Sequence, residues 1–196
     1  TSVTFGTPVQ YEAGSTSSVA ATFDSNSNKV VIVYKDSGNS NYGTAIVGTV
    51  DSSDNSISFG TAVVFESATT TNIGSTFDSN SNKVVIAYRD GGNSNYGTAI
   101  VGTVSGTSIS FGTAVVSGTG ISFGSIVVYN NAVTSYTVST FDSSSNKIVI
   151  SYTDNGNSTY GTAIVGTVSG TAISFGSEVV FNSGESSLVA SVFDSS

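Results

Sequence analysis

Three nine-residue segments concentrate groups able to do chemistry: "KDSGNSNYG" (Lys35 to Gly43), "RDGGNSNYG" (Arg89 to Gly97) and "TDNGNSTYG" (Thr153 to Gly161). Each sets a carboxylate (Asp36, Asp90, Asp154) a few residues ahead of amides (Asn39 and Asn41, Asn93 and Asn95, Asn157) and one flat ring (Tyr42, Tyr96, Tyr160). Directional amide and carboxylate groups beside an aromatic ring are what the hydroxyls and apolar face of a sugar require. A second set of oxygen donors recurs as "DSNSN" at Asp24, Asn26 and Asn28, again at Asp78, Asn80 and Asn82, and as "DSSSN" with Asp142 and Asn146. This D-x-[NS]-x-N spacing is that of the opening of a Ca²⁺-binding loop, but it lacks the glycine at position six and the bidentate glutamate at position twelve. Two readings follow, a solvated hairpin turn or a weak Ca²⁺ site of the extracellular kind, and no other cofactor is expected.

Composition removes several function classes. The 196 residues carry five basic and thirteen acidic side chains, a net charge of −8, so the chain is expected to bind no nucleic acid, whose phosphates it would repel. Only 9% of the residues are charged, against about a quarter in ordinary globular proteins, so the surface is built of hydroxyl and amide groups. There is no Cys, Met, His or Trp, which excludes disulfides, thiolate metal sites, thiol nucleophiles and imidazole bases. The longest apolar runs, such as Val30 to Tyr34, fall far short of the roughly 20 residues needed to span a bilayer, and no membrane insertion is expected. Paired-carboxylate hydrolysis needs two unlike acids converging on one bond. Near-identical repeats supply one copy of each acid per unit instead, and Arg89 is the single arginine, so no enzyme is expected.

The elements that must position these groups repeat with them. "FDSNSNKVVIVYKDSGNSNYGTAIVGTV" from Phe23 returns almost unchanged from Phe77 and from Phe141, intervals of 54 and 64 residues, and a further "FD" stands at Phe193, 52 residues on. The long interval holds a tandem copy, "SGTSISFGTAVV" followed by "SGTGISFGSIVV", over residues 105–128. Each period reads as four β-segments and no helix. Segment a ends at the repeated Phe; "DSNSN" turns the chain, Asn and Asp tolerating left-handed conformations; segment b, "KVVIVY", is continuously apolar and is expected to be covered on both faces. Segment c, "YGTAIVGTV", contains glycines of the kind found where another backbone comes close. Segment d, "SISFGTAVVFES", mixes polar and apolar positions and suits an outer strand.

The expected fold is all-β: a β-propeller-like array of four-stranded antiparallel blades with a period of 52–54 residues and about three and a half repeats, the alternatives being a β-sandwich or a hairpin solenoid. The units of this single repeat domain run 1–15 (partial), 16–67, 68–131, 132–184 and 185–196 (partial). The opening "TSVTFG" has the look of a processed product or an excerpt from a longer chain. Segment d at the N-terminus and segment a at the C-terminus would leave unpaired strand edges with Val3, Phe5, Val189 and Val192 exposed, so other copies of the chain, or the rest of it, are expected as partners and a well-behaved monomer is not.

The segments "KDSGNSNYG" and its two counterparts resemble the Asp-box of sialidases and other propellers, D-x-G-x-[ST]-[WY], with one residue added before the aromatic. That resemblance implies a structural role: the Asp closes a hairpin by accepting backbone N–H bonds and the aromatic packs beneath it. The longer stretch "FDSNSNKVVIAYRDGGNSNYGTAIVGTVSGTSISFGTAVVF" resembles a repeat of tail-fibre-like and other large structural proteins of marine cyanophages, over nearly the whole chain. It implies a virion or extracellular setting and a non-catalytic structural or adhesive module that binds host-surface glycans multivalently or meets other virion proteins. The second hypothesis is a purely architectural virion component or spacer without ligand.

Overall fold

The computed structural model describes residues 5–111, 126–170 and 172–194. The expected all-β class is what it shows: thirteen strands, connected antiparallel into one large sheet that does not close on itself, and no helix among the described residues. The 12-residue duplication falls largely on 112–125, outside the described residues.

The first unit shows how the sequence sets the pattern. Segment a is β1 (Thr16–Asp24), b is β2 (Lys29–Asp36) and c is β3 (Tyr42–Asp51), joined by the two polar turns. Segment d does not form one strand. Its first half is β4 (Ser56–Phe59), its second half opens β5 (Val63–Asp78), and both lie along β3, one at each end. β5 then runs on as segment a of the next unit: Val63 to Thr69 pair with β3, whereas Thr70 to Asp78 pair with β6 (Lys83–Asp90). The same scheme continues through β7 (Tyr96–Ser105), β8 (Ser108–Phe111), β9 (Val127–Asp142), β10 (Lys147–Asp154), β11 (Tyr160–Ser169), β12 (Ala172–Phe175) and β13 (Val179–Glu185). Each passage into segment a carries a left-handed residue at one equivalent place: Ser18, Asn72, Tyr136 and Leu188, with φ of 50°, 51°, 50° and 56°. In the first three it coincides with a break in register, a bulge that turns the strand from one unit to the next.

Packing between units makes two cores. One joins Val31, Val33, Ala45, Val47 and Phe65 of the first unit to Val84, Ile86, Tyr88, Ile100 and Ile109 of the second. The other joins Val85, Ala87, Ala99, Val101 and Tyr129 to Ile148, Ile150, Tyr152, Ile164 and Ile173. In β6 one face thus meets the preceding unit and the other face the following one. In β6 every residue from Val84 to Tyr88 is buried, as its continuous apolar run predicts, whereas Ile32 in β2 and Val149 in β10 are only half-buried.

The glycines of segment c answer to a different cause from the backbone approach expected of them. A Cβ on Gly43, Gly97 or Gly161 would stand 2.5–2.6 Å from the ring of Phe65, Tyr129 or Phe181, so an aromatic side chain occupies the space. Close backbone approach occurs instead at Gly74 in segment a, where a Cβ would lie 3.0 Å from the Val138 Cα. The terminal segments expected as strand edges, 5–11 and 188–194, are not in strands, and Phe5 and Val192 are exposed; Val3 lies outside the described residues.

Candidate functional site: repeated loops and a shared recess

The loop between segments b and c is built the same way three times. Asp36 Oδ1 accepts the backbone N–H groups of Gly38 (2.9 Å) and Asn39 (3.1 Å), and Asp90 does the same for Gly92 and Asn93; Asp154 accepts Gly156 N–H at 2.9 Å. All three carboxylates are buried beneath their turns. Asn39, Asn93 and Asn157 stand exposed at the loop tips, where their carbonyls accept the N–H of Tyr42, Tyr96 and Tyr160. Asn41 and Asn95 are left-handed, and both they and the tyrosines that follow are half-buried. Each loop therefore assembles its candidate residues, with amides and one ring edge open to solvent and the carboxylate occupied below them.

The turn between segments a and b is a second repeated device. Asp24 accepts Asn26 N–H and Ser27 N–H through Oδ1 and the Ser27 hydroxyl at 2.6 Å through Oδ2; Asp78 and Asp142 repeat the arrangement with Ser81 and Ser145. The Ser145 hydroxyl holds the Asp142 carboxyl below its usual range. Asn28, Asn82 and Asn146 close the turns with φ near +55°. Among the described residues no three acidic groups gather as metal ligands would.

A third site was not read from the sequence. The last residues of segment a from all four copies line one recess of about 510 Å³: Phe23, Phe77, Phe141 and Phe193, interleaved with hydroxyls such as Thr76 and Thr140. A second hollow of about 330 Å³, lined by Ala20, Gly74, Val138 and Ala190 among others, shares the same four segments. Residues 188–193, although not in a strand, therefore stand beside the other a segments, and Thr140 Oγ1 donates to the Ser191 carbonyl at 2.9 Å. The available signal was the repeated "FD" that ends segment a in each copy. Because the a–b turns gather around this recess, the b–c loops lie at the opposite end of the strands.

Between units, a tyrosine of segment b meets an aromatic of the preceding d: Tyr34 with Tyr11, Tyr88 with Phe65 and Tyr152 with Tyr129, each pair with ring centroids 5.2 Å apart. Tyr34 and Tyr88 donate to Glu12 (3.2 Å) and Glu66 (3.0 Å). In the third junction Asn130 stands where those glutamates would be, and Glu178 from the following d segment accepts Tyr152 (2.7 Å) and Asn130 (2.9 Å) instead. Burial, and then the negative charge of Asp90, push Glu66 up from its usual range, while burial and the neighbouring glutamates push Tyr34 and Tyr88 up. The Glu–Tyr–Asp grouping thus recurs at the first two junctions, between packed aromatic rings, and is altered at the third. Compared with known proteins, the chain matches no family model, no curated protein and no solved structure.

Proposed function

We propose that this chain is a non-catalytic, propeller-like structural and adhesive module of a virion or extracellular fibre, in which each four-stranded unit is a blade. Two features support the propeller form: the first three a segments are each followed across the sheet by b, c and d, and all four a segments line one recess. The observation that carries the adhesive reading is the identity of the three b–c loops, each presenting an exposed Asn39, Asn93 or Asn157 and a half-buried Tyr42, Tyr96 or Tyr160 above a satisfied carboxylate. The ligand class is a neutral surface glycan of the host, bound weakly at each loop and held by the number of loops, since identical sites on one rigid body gain avidity without new contacts. The negative charge of the chain favours neutral over acidic sugars.

The test is glycan-array and whole-cell binding by the chain and by the triple variant Asn39→Ala, Asn93→Ala, Asn157→Ala, whose changes fall on exposed loop tips. Loss of binding with an unchanged melting temperature is the expected result. Binding that survives this variant and the corresponding Tyr42→Ala, Tyr96→Ala, Tyr160→Ala variant sinks the sugar-site reading. Occupation of every loop carboxylate by the chain's own N–H groups favours the alternative, an architectural spacer whose loops serve only to close hairpins. Such a chain binds nothing on the array.

A further inference from the structure

The recess at the a–b end of the strands differs from the b–c loops in what its polar groups are already bonded to. Its lining comes from the a segments and the turns that follow them, converging on one hollow of about 510 Å³, within the range of roughly 300–1,000 Å³ typical of small-molecule sites. Phe23, Phe77, Phe141 and Phe193 bring rings to it, and Phe23 is 53% exposed. Among these rings stand the hydroxyls of Thr22, Thr76, Ser25, Ser79 and Ser143, which bond to no other group among the described residues. Ser139 lines both this recess and the neighbouring hollow of about 330 Å³, and its Oγ is buried without a partner, as is that of Ser75 in the second hollow. Buried hydroxyls left unmatched are few in native proteins, and each calls for a partner from water or from a bound molecule. Charge at the rim cancels: Asp24, Asp78 and Asp142 stand in register opposite Lys29, Lys83 and Lys147 across the three turns.

We propose that this recess binds one neutral sugar ring per chain. Aromatic rings around a hollow suit the apolar face of a pyranose, and taken alone they would suit a hydrocarbon chain as well. The free hydroxyls decide between the two. Covering them with hydrocarbon takes them out of water and gives no bond in return, whereas a hydroxylated ligand replaces the bonds they lose. A charged ligand finds no excess of opposite charge, because each of the three rim aspartates has a lysine as its register partner. The four a segments contribute to a single site, so one ligand is held per chain, whereas the b–c loops offer three equivalent places at the other end of the strands. The recess does not rest on the loop reading, and either can fail alone.

The test uses the full chain carrying Phe23→Trp, which places a single tryptophan at the recess of a sequence that otherwise has none. The methyl glycosides of glucose, galactose and mannose are titrated against its emission and, in parallel, against the amide resonances of the isotope-labelled parent. At least one of them is expected to saturate a single site, with a dissociation constant that does not change with salt, because a neutral ligand has no charge to screen. Resonances of 22–25, 76–79 and 139–143 shift with it. Thr22→Val and Thr76→Val each remove a hydroxyl and keep a β-branched side chain in its strand, and Phe23→Ala truncates an exposed ring, so these variants keep the circular dichroism of the parent. Followed by the amide resonances, the two threonine changes together weaken binding by about tenfold or more, and Phe23→Ala weakens it by about fivefold. No saturable change with any of the three glycosides in either measurement overturns the proposal, and so does binding indifferent to these variants. Preference for octanol, or for the methyl glycoside of sialic acid, over all three neutral sugars overturns the ligand class. Shifts confined to 36–42, 90–96 and 154–160 also overturn the proposal and leave the loop reading standing; shifts confined to the recess support it and sink the loop reading.

Discussion

Thr159 takes, at φ 60°, the place that Asn41 and Asn95 take at 63° and 62°. Asparagine tolerates the left-handed region because its short amide bonds nearby backbone, whereas a β-branched residue there pays a steric cost of roughly 1–2 kcal/mol. Thr159→Asn should therefore stabilise the chain by roughly 0.5–1 kcal/mol, read as a shifted urea midpoint with unchanged slope. The junction tyrosines give a second test. Burial pushes the Tyr129 hydroxyl up to about 12, and burial first, then the adjoining glutamates, push Tyr34, Tyr88 and Tyr152 up further from an ordinary value of 10.0. Groups whose folded value is raised contribute stability that is complete below pH 10 and lost as pH climbs through the folded values. Absorbance at 295 nm should show these four tyrosines un-ionised past pH 10 and titrating together with unfolding; their ionisation within a chain that keeps its circular dichroism would contradict the buried junctions.

The b strands are nearly one sequence in three environments. In β6 both faces are packed, in β2 the face carrying Ile32 is partly open, and in β10 the face carrying Val149 is. Deleting buried methyl groups costs the lost transfer energy plus that of the cavity left behind. Ile86→Ala should cost about 3–4 kcal/mol, whereas the equivalent Ile32→Ala should cost about half as much, because part of that side chain already meets water. Chemical denaturation of both variants checks the ratio; equal losses would mean that Ile32 is packed as tightly as Ile86. The long strands β5 and β9 matter here too, since each belongs to two units and couples the unfolding of one to that of its neighbour.

Across the whole molecule the middle unit is the one enclosed on both sides, by the cores it shares with the first and the third. Local opening exposes least where fewest apolar faces are already wet. Native-state hydrogen exchange should find the amides of β6 and β7 opening only with global unfolding, those of β2 and β10 at somewhat lower free energy, and those of β13, exposed along its length, lowest of all. Protection of β13 equal to that of β6 would show that its outer face is covered in solution.

Strand identity, turn positions and the repeat itself were legible in the sequence. Each rests on local physics: alternating or continuous β-branched runs, Asn and Asp where φ must be positive, and an aspartate placed to accept its own loop's N–H groups. Asp36, Asp90 and Asp154 could be assigned to hairpin closure or to a ligand from spacing alone, and only the tertiary structure shows Oδ1 of each already accepting its own loop's N–H groups. The split of segment d, its fusion to the next segment a, the gathering of Phe23, Phe77, Phe141 and Phe193 at one recess, and the replacement of a junction glutamate by Glu178 all required tertiary structure. The physical reason is that a repeated sequence specifies the same strand every time, while burial depends on what stands beside it. Val47, Val101 and Val165 occupy the same place in the same "YGTAIVGTV", and the first two are core while the third is surface, because another unit covers those two and, among the described residues, none covers the third.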